Sequence, residues 1–396
     1  MSLSARRTVL LLAMAQALAM TSVSIMILTS ALVGETLAAN KHFATLPLAL
    51  QFSMTMLATL PASFVMKRIG RRNGFMIGAG IGIVGGAIMM LAIRDGSFPM
   101  FCLGNAVFGG FVGFNVYYRF AAAEAADDAF RAKAISLVMA GGVVAALFAR
   151  PLAEYGQDLM APFTFAGGFV FIVGLCAAIL IVLIPLKIAP PPPPMSSDEA
   201  ARPLLEVVAQ RRAVVAIVSG MLGYGIMSFV MTATPLAMHF CGYDLGKGIG
   251  FVIQWHVLGM FVPSFFTGHL IRRFGEMRIL SCGIASYAAC IGIGLSGVSI
   301  PQFWLTLVLL GVGWNFLYVG GTTLLTKCYR PSERAKVQAS NDFLVAGTQA
   351  VCSFIAGSVQ QWAGWHWVLI AAAVPVAFIV ATLLWGARAG AKPAVA

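Results

Sequence analysis

The chain has 396 residues, of which 60% are hydrophobic and only 10% charged, with a mean hydropathy of +0.89. That leaves too little polar surface to cover a water-soluble fold, so the chain reads as an integral membrane protein. Its net charge of +12 would suit nucleic acid, but the placement of those charges along the chain excludes that use.

Backbone groups in hydrocarbon must be satisfied within helices or a closed barrel. Apolar runs of about 20 residues, such as Gly74 to Ala92 and Trp367 to Trp385, select helices. Twelve spans are predicted, at 8–33, 43–66, 74–93, 98–122, 134–156, 162–186, 213–238, 248–271, 278–298, 301–326, 337–361 and 365–387. The first is long and interrupted by Gln16, Thr21, Ser22 and Ser24, so it reads as a transmembrane helix rather than a cleaved leader. Of the 26 Lys and Arg residues, all but Lys41, Arg94, Arg150 and Lys247 fall on one side of this topology. The positive-inside rule then predicts that both termini and the basic loops are cytoplasmic, in the inner membrane of a bacterium. The seven cysteines are scattered with no C-x-x-C pair, and most read as small hydrophobes in apolar spans.

The longest polar stretch, Lys187 to Arg212, holds the run Pro190 to Pro194 followed by Met195-Ser196-Ser197-Asp198-Glu199. Consecutive prolines cannot continue a helix and favour extended geometry. This stretch is predicted to be a cytoplasmic linker, a simple tether between six-helix halves at 1–186 and 213–396. The halves repeat one another. Lys67-Arg68-Ile69-Gly70-Arg71-Arg72 recurs as Arg272-Arg273-Phe274-Gly275-Glu276, Arg131-Ala132-Lys133 as Arg334-Ala335-Lys336, and Asn115 as Asn315. Such duplication marks a transporter built from two related bundles around a central site.

With these motifs the chain resembles the major facilitator superfamily over essentially its whole length. The resemblance implies an all-α fold of twelve membrane helices in two pseudo-symmetric bundles. That family's loop after the second helix reads roughly G-x-x-x-D-R-x-G-R-R; Arg68, Gly70, Arg71 and Arg72 match, and Arg273 and Gly275 keep the turn in the second copy. Lys67 replaces the acidic residue and Ser63 the leading glycine, while the second copy keeps Gly268 but has Arg272 at the acidic position. In the family the acid is thought to latch the closed cytoplasmic face, so the latch here is expected to be built differently. Arg150-Pro151 stands where the antiporter branch tends to have Gly-Pro, which argues against drug efflux.

Large polar and aromatic groups inside the spans are the candidates for cargo binding, because burying them is costly. Met227 and Met231 in the seventh helix, near Tyr224, and His256 and Met260 in the eighth are i, i+4 pairs. Their thioethers and imidazole suit Cu(I), although most Met pairs in a chain with 20 methionines serve packing. These motifs, with Asn115-Val116-Tyr117-Tyr118-Arg119 and Ala339-Ser340-Asn341-Asp342-Phe343, resemble the branch holding RfnT-type riboflavin transporters and CcoA-type copper importers. Riboflavin would need aromatic faces for its flat rings and amides or hydroxyls for its polar edge. Gln16, Asn115, Tyr117, Tyr118, Tyr224, Gln254, Trp255, His256, Trp314, Asn315 and Tyr318 offer these. The sparse thiols near the methionines, Cys241 alone, tilt the choice away from copper.

Asp342 is a candidate coupling carboxylate, or a gate residue paired with Lys327, Arg330 or Arg334. Arg150 and Glu154 are expected to form a structural i, i+4 pair, and Arg119 to pair with Glu124 or Asp128 or to snorkel. H-E-x-x-H, G-x-S-x-G and P-loop motifs are absent from the sequence, which opposes an enzyme. A channel would need an oligomeric axis, whereas the duplicated halves supply a cavity within one chain, expected to act as a monomer without a cofactor. The expectation is import of a small solute by alternating access, with riboflavin ahead of copper or another organic solute. Its driving force is either ion coupling or facilitated diffusion followed by phosphorylation.

Overall fold

The computed structural model describes residues 3–127, 130–188 and 202–387. The proline run Pro190 to Pro194, Asp198, Glu199, Asp128, Arg388 and Lys392 lie outside the described residues.

The predicted spans form as helices. The first six are α1 (Leu3–Leu37), α2 (Leu46–Ile69), α3 (Arg71–Arg94), α4 (Phe98–Asn115) continued by α5 (Tyr118–Ala125), α6 (Arg131–Met139) continued by α7 (Gly141–Asp158), and α8 (Ala166–Leu183). A short α9 (Leu204–Val208) follows the linker. The second six are α10 (Arg211–Phe240), α11 (Gly250–Phe261) with α12 (Ser264–Phe274), α13 (Glu276–Leu295), α14 (Ile300–Thr326), α15 (Arg334–Ala363) and α16 (Trp365–Ala387). Eleven of these spans are long and apolar enough to cross a membrane, and the α11–α12 pair, bent by 42°, makes the twelfth.

The sequence predicts one span at 248–271; the structure bends it by 42°, and Pro263 explains the bend. Proline lacks the N–H that would continue the ladder and its ring crowds the preceding turn. The carbonyl of Met260 at the break is taken up by the Asn315 side-chain amide at 2.7 Å, which also donates to Ser264 Oγ at 2.6 Å. Thr267 Oγ1 in turn lies 2.7 Å from both Asn315 Oδ1 and the Pro263 carbonyl, sharing its one proton between these two acceptors. In hydrocarbon no water can satisfy these groups, so one buried asparagine on α14 holds the break in α11–α12.

Packing follows the duplication. α3 lies on α4 and α8 as α13 lies on α14 and α16, and α1 lies on α7 and α8 as α10 lies on α15 and α16. Between the halves, α2 packs on α15 and α7 on α11, two pairings that exchange when the halves are interchanged, while α1 meets α10. Close approach is bought with glycine: a Cβ at Gly78, Gly82 or Gly85 of α3 would come within 3.0 Å of Phe114, Phe111 or Phe108 of α4. Tyr118 belongs to this first-half core. It is 1% exposed, its ring edge-on to Phe75 at 4.6 Å.

Candidate functional site

Twelve crossings put both ends of the described chain on one face, and the two faces differ. On the far face the halves are joined. Thr45 Oγ1 donates to the Phe354 carbonyl at 3.3 Å and accepts from Gly357 N at 3.2 Å, and Ser358 Oγ donates to the His42 carbonyl at 3.1 Å. Arg150 and Glu154 form the expected pair at 2.6 Å, but the pair does more than brace α7. Arg150 also donates to Gln254 Oε1 at 3.4 Å and lies 5.7 Å from the Phe251 ring, both on the second half. Gln254 therefore takes part in the far-face closure.

On the terminal face the two repeated turns share one backbone conformation, φ 87°, ψ 154° at Gly70 and φ 83°, ψ 158° at Gly275. Only glycine adopts that region readily, which explains its recurrence. The residue after each glycine then ties the turn to the end of the fourth helix of its half, with opposite sign. Arg71 Nε donates to Glu124 at 2.7 Å, whereas Glu276 is bonded by Lys327. Two expectations change here: Glu124 is taken by Arg71 rather than Arg119, and Lys327 by Glu276 rather than Asp342. Arg72 reaches the Leu183 carbonyl at 3.3 Å, and Arg68 and Arg273 are exposed, the latter 5.2 Å from the Phe274 ring.

The linker is more than a tether over its described end. Glu333 is fully buried and accepts from Arg202 Nε at 2.8 Å, Arg202 N at 2.9 Å and Arg330 N at 2.9 Å. The Arg202 guanidinium holds the Glu333 carboxyl far below the usual range. Gln210 adds a bond to the Cys328 carbonyl at 3.0 Å, so Arg202 to Gln210 is stitched to the loop before α15.

Between the faces lies an aromatic cluster. Trp314 and Tyr318 of α14 stack at 5.3 Å and 11°, and Tyr224 of α10 stands edge-on to both at 5.3 Å. Phe261 of α11 meets Trp314 at 6.1 Å, and its ring lies against Gly142 of α7, so it spans the halves. The buried Trp314 indole N–H has no hydrogen-bond partner. Asn115 is buried at the end of α4 with its Oδ1 also unpartnered, and Gln16 of α1 is half-buried beside Gly141. One residue missed by sequence reasoning completes the cluster, Phe261. The Arg119 guanidinium lies 4.8 Å from the Phe120 ring, and its Nε is buried with no hydrogen-bond partner. Asn315 spends its side-chain bonds on the α11–α12 break.

Met227 and Met231 are buried on α10 and His256 and Met260 on α11, and both helices pack on α14. His256 Nδ1 lies 2.8 Å from the Leu307 carbonyl. A carbonyl only accepts, so Nδ1 carries the proton and Nε2 is left as a buried acceptor. Among the described residues no three His, Cys, Asp or Glu side chains are grouped to hold a metal ion.

The sequence profile of the Major Facilitator Superfamily matches residues 10–253 and 220–395. Riboflavin transporter RfnT of Brucella anthropi is 41% identical over 367 residues, covering 92% of this chain and 91% of that protein. The MFS-type transporter YddS of Bacillus subtilis is 28% identical, covering 91% and 86%. Among solved structures, the POT family transporter PepTSo superposes with a TM-score of 0.74 at 12% identity, covering 96% of this chain and 97% of that one. An auto-inhibited POT family peptide transporter gives 0.71 at 14% identity, covering 98% of each. These transporters share the fold and these profiles share the sequence, and the chain belongs to the major facilitator superfamily.

Proposed function

We propose that the chain imports riboflavin, or a cargo of the same flat, uncharged and hydroxyl-bearing kind, across a bacterial inner membrane by alternating access. The observation that carries the reading is the Trp314–Tyr318–Tyr224 cluster, with its unpartnered indole N–H, in a chain 41% identical to a riboflavin transporter. A three-ring heterocycle stacks on such faces, and its carbonyl edge can accept from a buried N–H that has no other partner. Gln16, Asn115, Met227, Met231, His256 and Met260 are the remaining candidates for the pocket wall. With both termini in the cytoplasm, the closed far face is the outer one, and residues 1–186 and 213–396 move as two bodies around the cargo. Lipid surrounds a single chain.

The test is growth of a riboflavin auxotroph that lacks its own uptake system. The chain is expected to restore growth on low riboflavin and to accumulate the labelled vitamin. Absence of both, with the protein present in the membrane, rejects the cargo.

A further inference from the structure

The short helix α9 at the end of the linker packs on both α10 and α15. Where the three meet, on the terminal face of the second half, they line a groove of about 690 Å³, a volume in the range of ligand sites. Its walls are apolar: Leu204 and Val208 of α9, Val214 and Val218 of α10, and Phe343 and Leu344 of α15. Among the described residues two polar side chains also line it, and both are bonded within α15. Ser340 Oγ donates to the Lys336 carbonyl at 2.8 Å, and the Asn341 amide donates to Asp342 at 3.3 Å. The groove is open, with Phe343 58% and Leu344 42% exposed.

Both long walls become basic toward the terminal face. Arg211, Val214 and Val218 of α10 are spaced i, i+3 and i+7, so the exposed Arg211 continues the apolar stripe by one turn, with exposed Arg212 beside it. On α15, Lys336 stands one turn before Ser340 in the same way, and exposed Arg334 precedes it. Acids do not balance this rim: Glu333 is spent on Arg202, which leaves Glu206 of α9 against four cations. The Arg211 guanidinium also lies 5.2 Å from the Trp385 ring at the end of α16, and Trp and Arg at the end of a span mark the membrane–water boundary. An apolar slot that opens under cations at that boundary has the chemistry of a phospholipid, hydrocarbon in the slot and phosphate among the guanidinium groups. We propose that this groove is a binding site for an anionic phospholipid, with one acyl chain between α9, α10 and α15 and its headgroup on Arg211 and Arg212. The bilayer around the spans supplies the occupant. Because α9 forms one wall, the bound lipid holds the end of the linker to the second half. The proposal is independent of the cargo.

The test titrates the delipidated full chain in detergent with phosphatidylglycerol, or with phosphatidylcholine of the same acyl chains, and counts retained lipid by native mass spectrometry. Wild type is expected to retain phosphatidylglycerol in preference to phosphatidylcholine. Removing two cations in Arg211→Gln with Arg212→Gln is expected to weaken that retention roughly tenfold or more. Filling the slot from its exposed rim, by Leu344→Trp or Ala339→Phe, is expected to weaken it by a similar factor with the cations intact. Arg6→Gln with Arg7→Gln, exposed cations of the first half on the same face, is expected to leave it unchanged. Either rim variant suffices if the other fails to fold, and Arg212→Gln alone replaces the double variant on the same ground. Equal retention of the two lipids overturns the proposal, as does retention that survives loss of the cations or filling of the slot. An equal loss in the first-half control also overturns it, since the charge of the whole face would then be the cause.

Discussion

The two halves share a scaffold and differ in how its polar groups are spent. Each has a proline in its second span and an asparagine deep in its fourth, yet α2 runs unbroken through Pro61 while the second half breaks at Pro263. Asn315 is fully bonded and Asn115 is left with a bare Oδ1. The aromatic cluster also belongs to the second half, through Tyr224, Phe261, Trp314 and Tyr318, and the first half meets it at Gly142. Duplication thus fixes the frame, and the divergence of buried polar groups decides which half clamps itself and which half is free to bind.

The largest expected effect tests that division. If the second half holds a flat cargo, Trp314→Ala removes a stacking face worth about 1–3 kcal/mol, and KM for riboflavin uptake rises by roughly 5- to 150-fold at unchanged abundance. Trp314→Phe keeps a ring but loses the N–H and falls between. A purely packing role predicts instead that Trp314→Ala lowers the amount of folded protein, seen by fluorescence-detected size-exclusion chromatography.

Next come the asparagines. Asn315→Leu deletes three buried bonds, each worth about 0.6 kcal/mol on average within membranes and up to ~1.7, for a loss of roughly 2 kcal/mol in unfolding titrations. Asn115→Leu removes an acceptor with no partner and is expected to be neutral within about 0.5 kcal/mol. Equal losses at the two sites would erase the distinction between clamp and free amide.

How much of this was legible in the sequence depends on the range of the interaction concerned. The spans, the repeated turn and the Arg150–Glu154 pair were readable because each rests on neighbours along the chain: hydropathy over one helix, a glycine with its own φ, an i, i+4 spacing. Asn315 looked like a cargo residue because nothing in its own span shows that its bonds are spent on the Pro263 break of another helix. The burial of Tyr118 was illegible for the same reason, its partner Phe75 lying on α3. Arg119 was visible as a costly charge, but that its expected partner Glu124 is taken by Arg71 depends on a different helix. A one-helix reading cannot supply it.

A further effect is expected where the halves agree. Gly70→Ala and Gly275→Ala each force a side chain into a region costing about 1–3 kcal/mol. Because the dihedrals of the two glycines nearly coincide and a Cβ at either meets nothing within 4 Å, the two variants should lose the same stability in parallel thermal melts. A difference beyond about 0.5 kcal/mol would mean that the turns are loaded differently.

The smallest effect discriminates most finely, because it exploits the one place where the repeated turn changes sign. Arg71 with Glu124 and Glu276 with Lys327 occupy corresponding positions, and exposed ion pairs contribute about 0–1 kcal/mol. Arg71→Glu sets two acids against each other and Glu276→Lys two bases, so each single variant should lose stability within that range, less so at high salt because exposed charges are screened. Exchanging both members of one pair, Arg71→Glu with Glu124→Arg, should recover the loss if the pair only ties the turn to the fourth span. Recovery of stability without recovery of uptake would show instead that the sign itself matters. The terminal-face ends of the halves would then read each other's charge as they close, and the inversion between the halves would serve attraction between them rather than being a neutral drift of an equivalent bond.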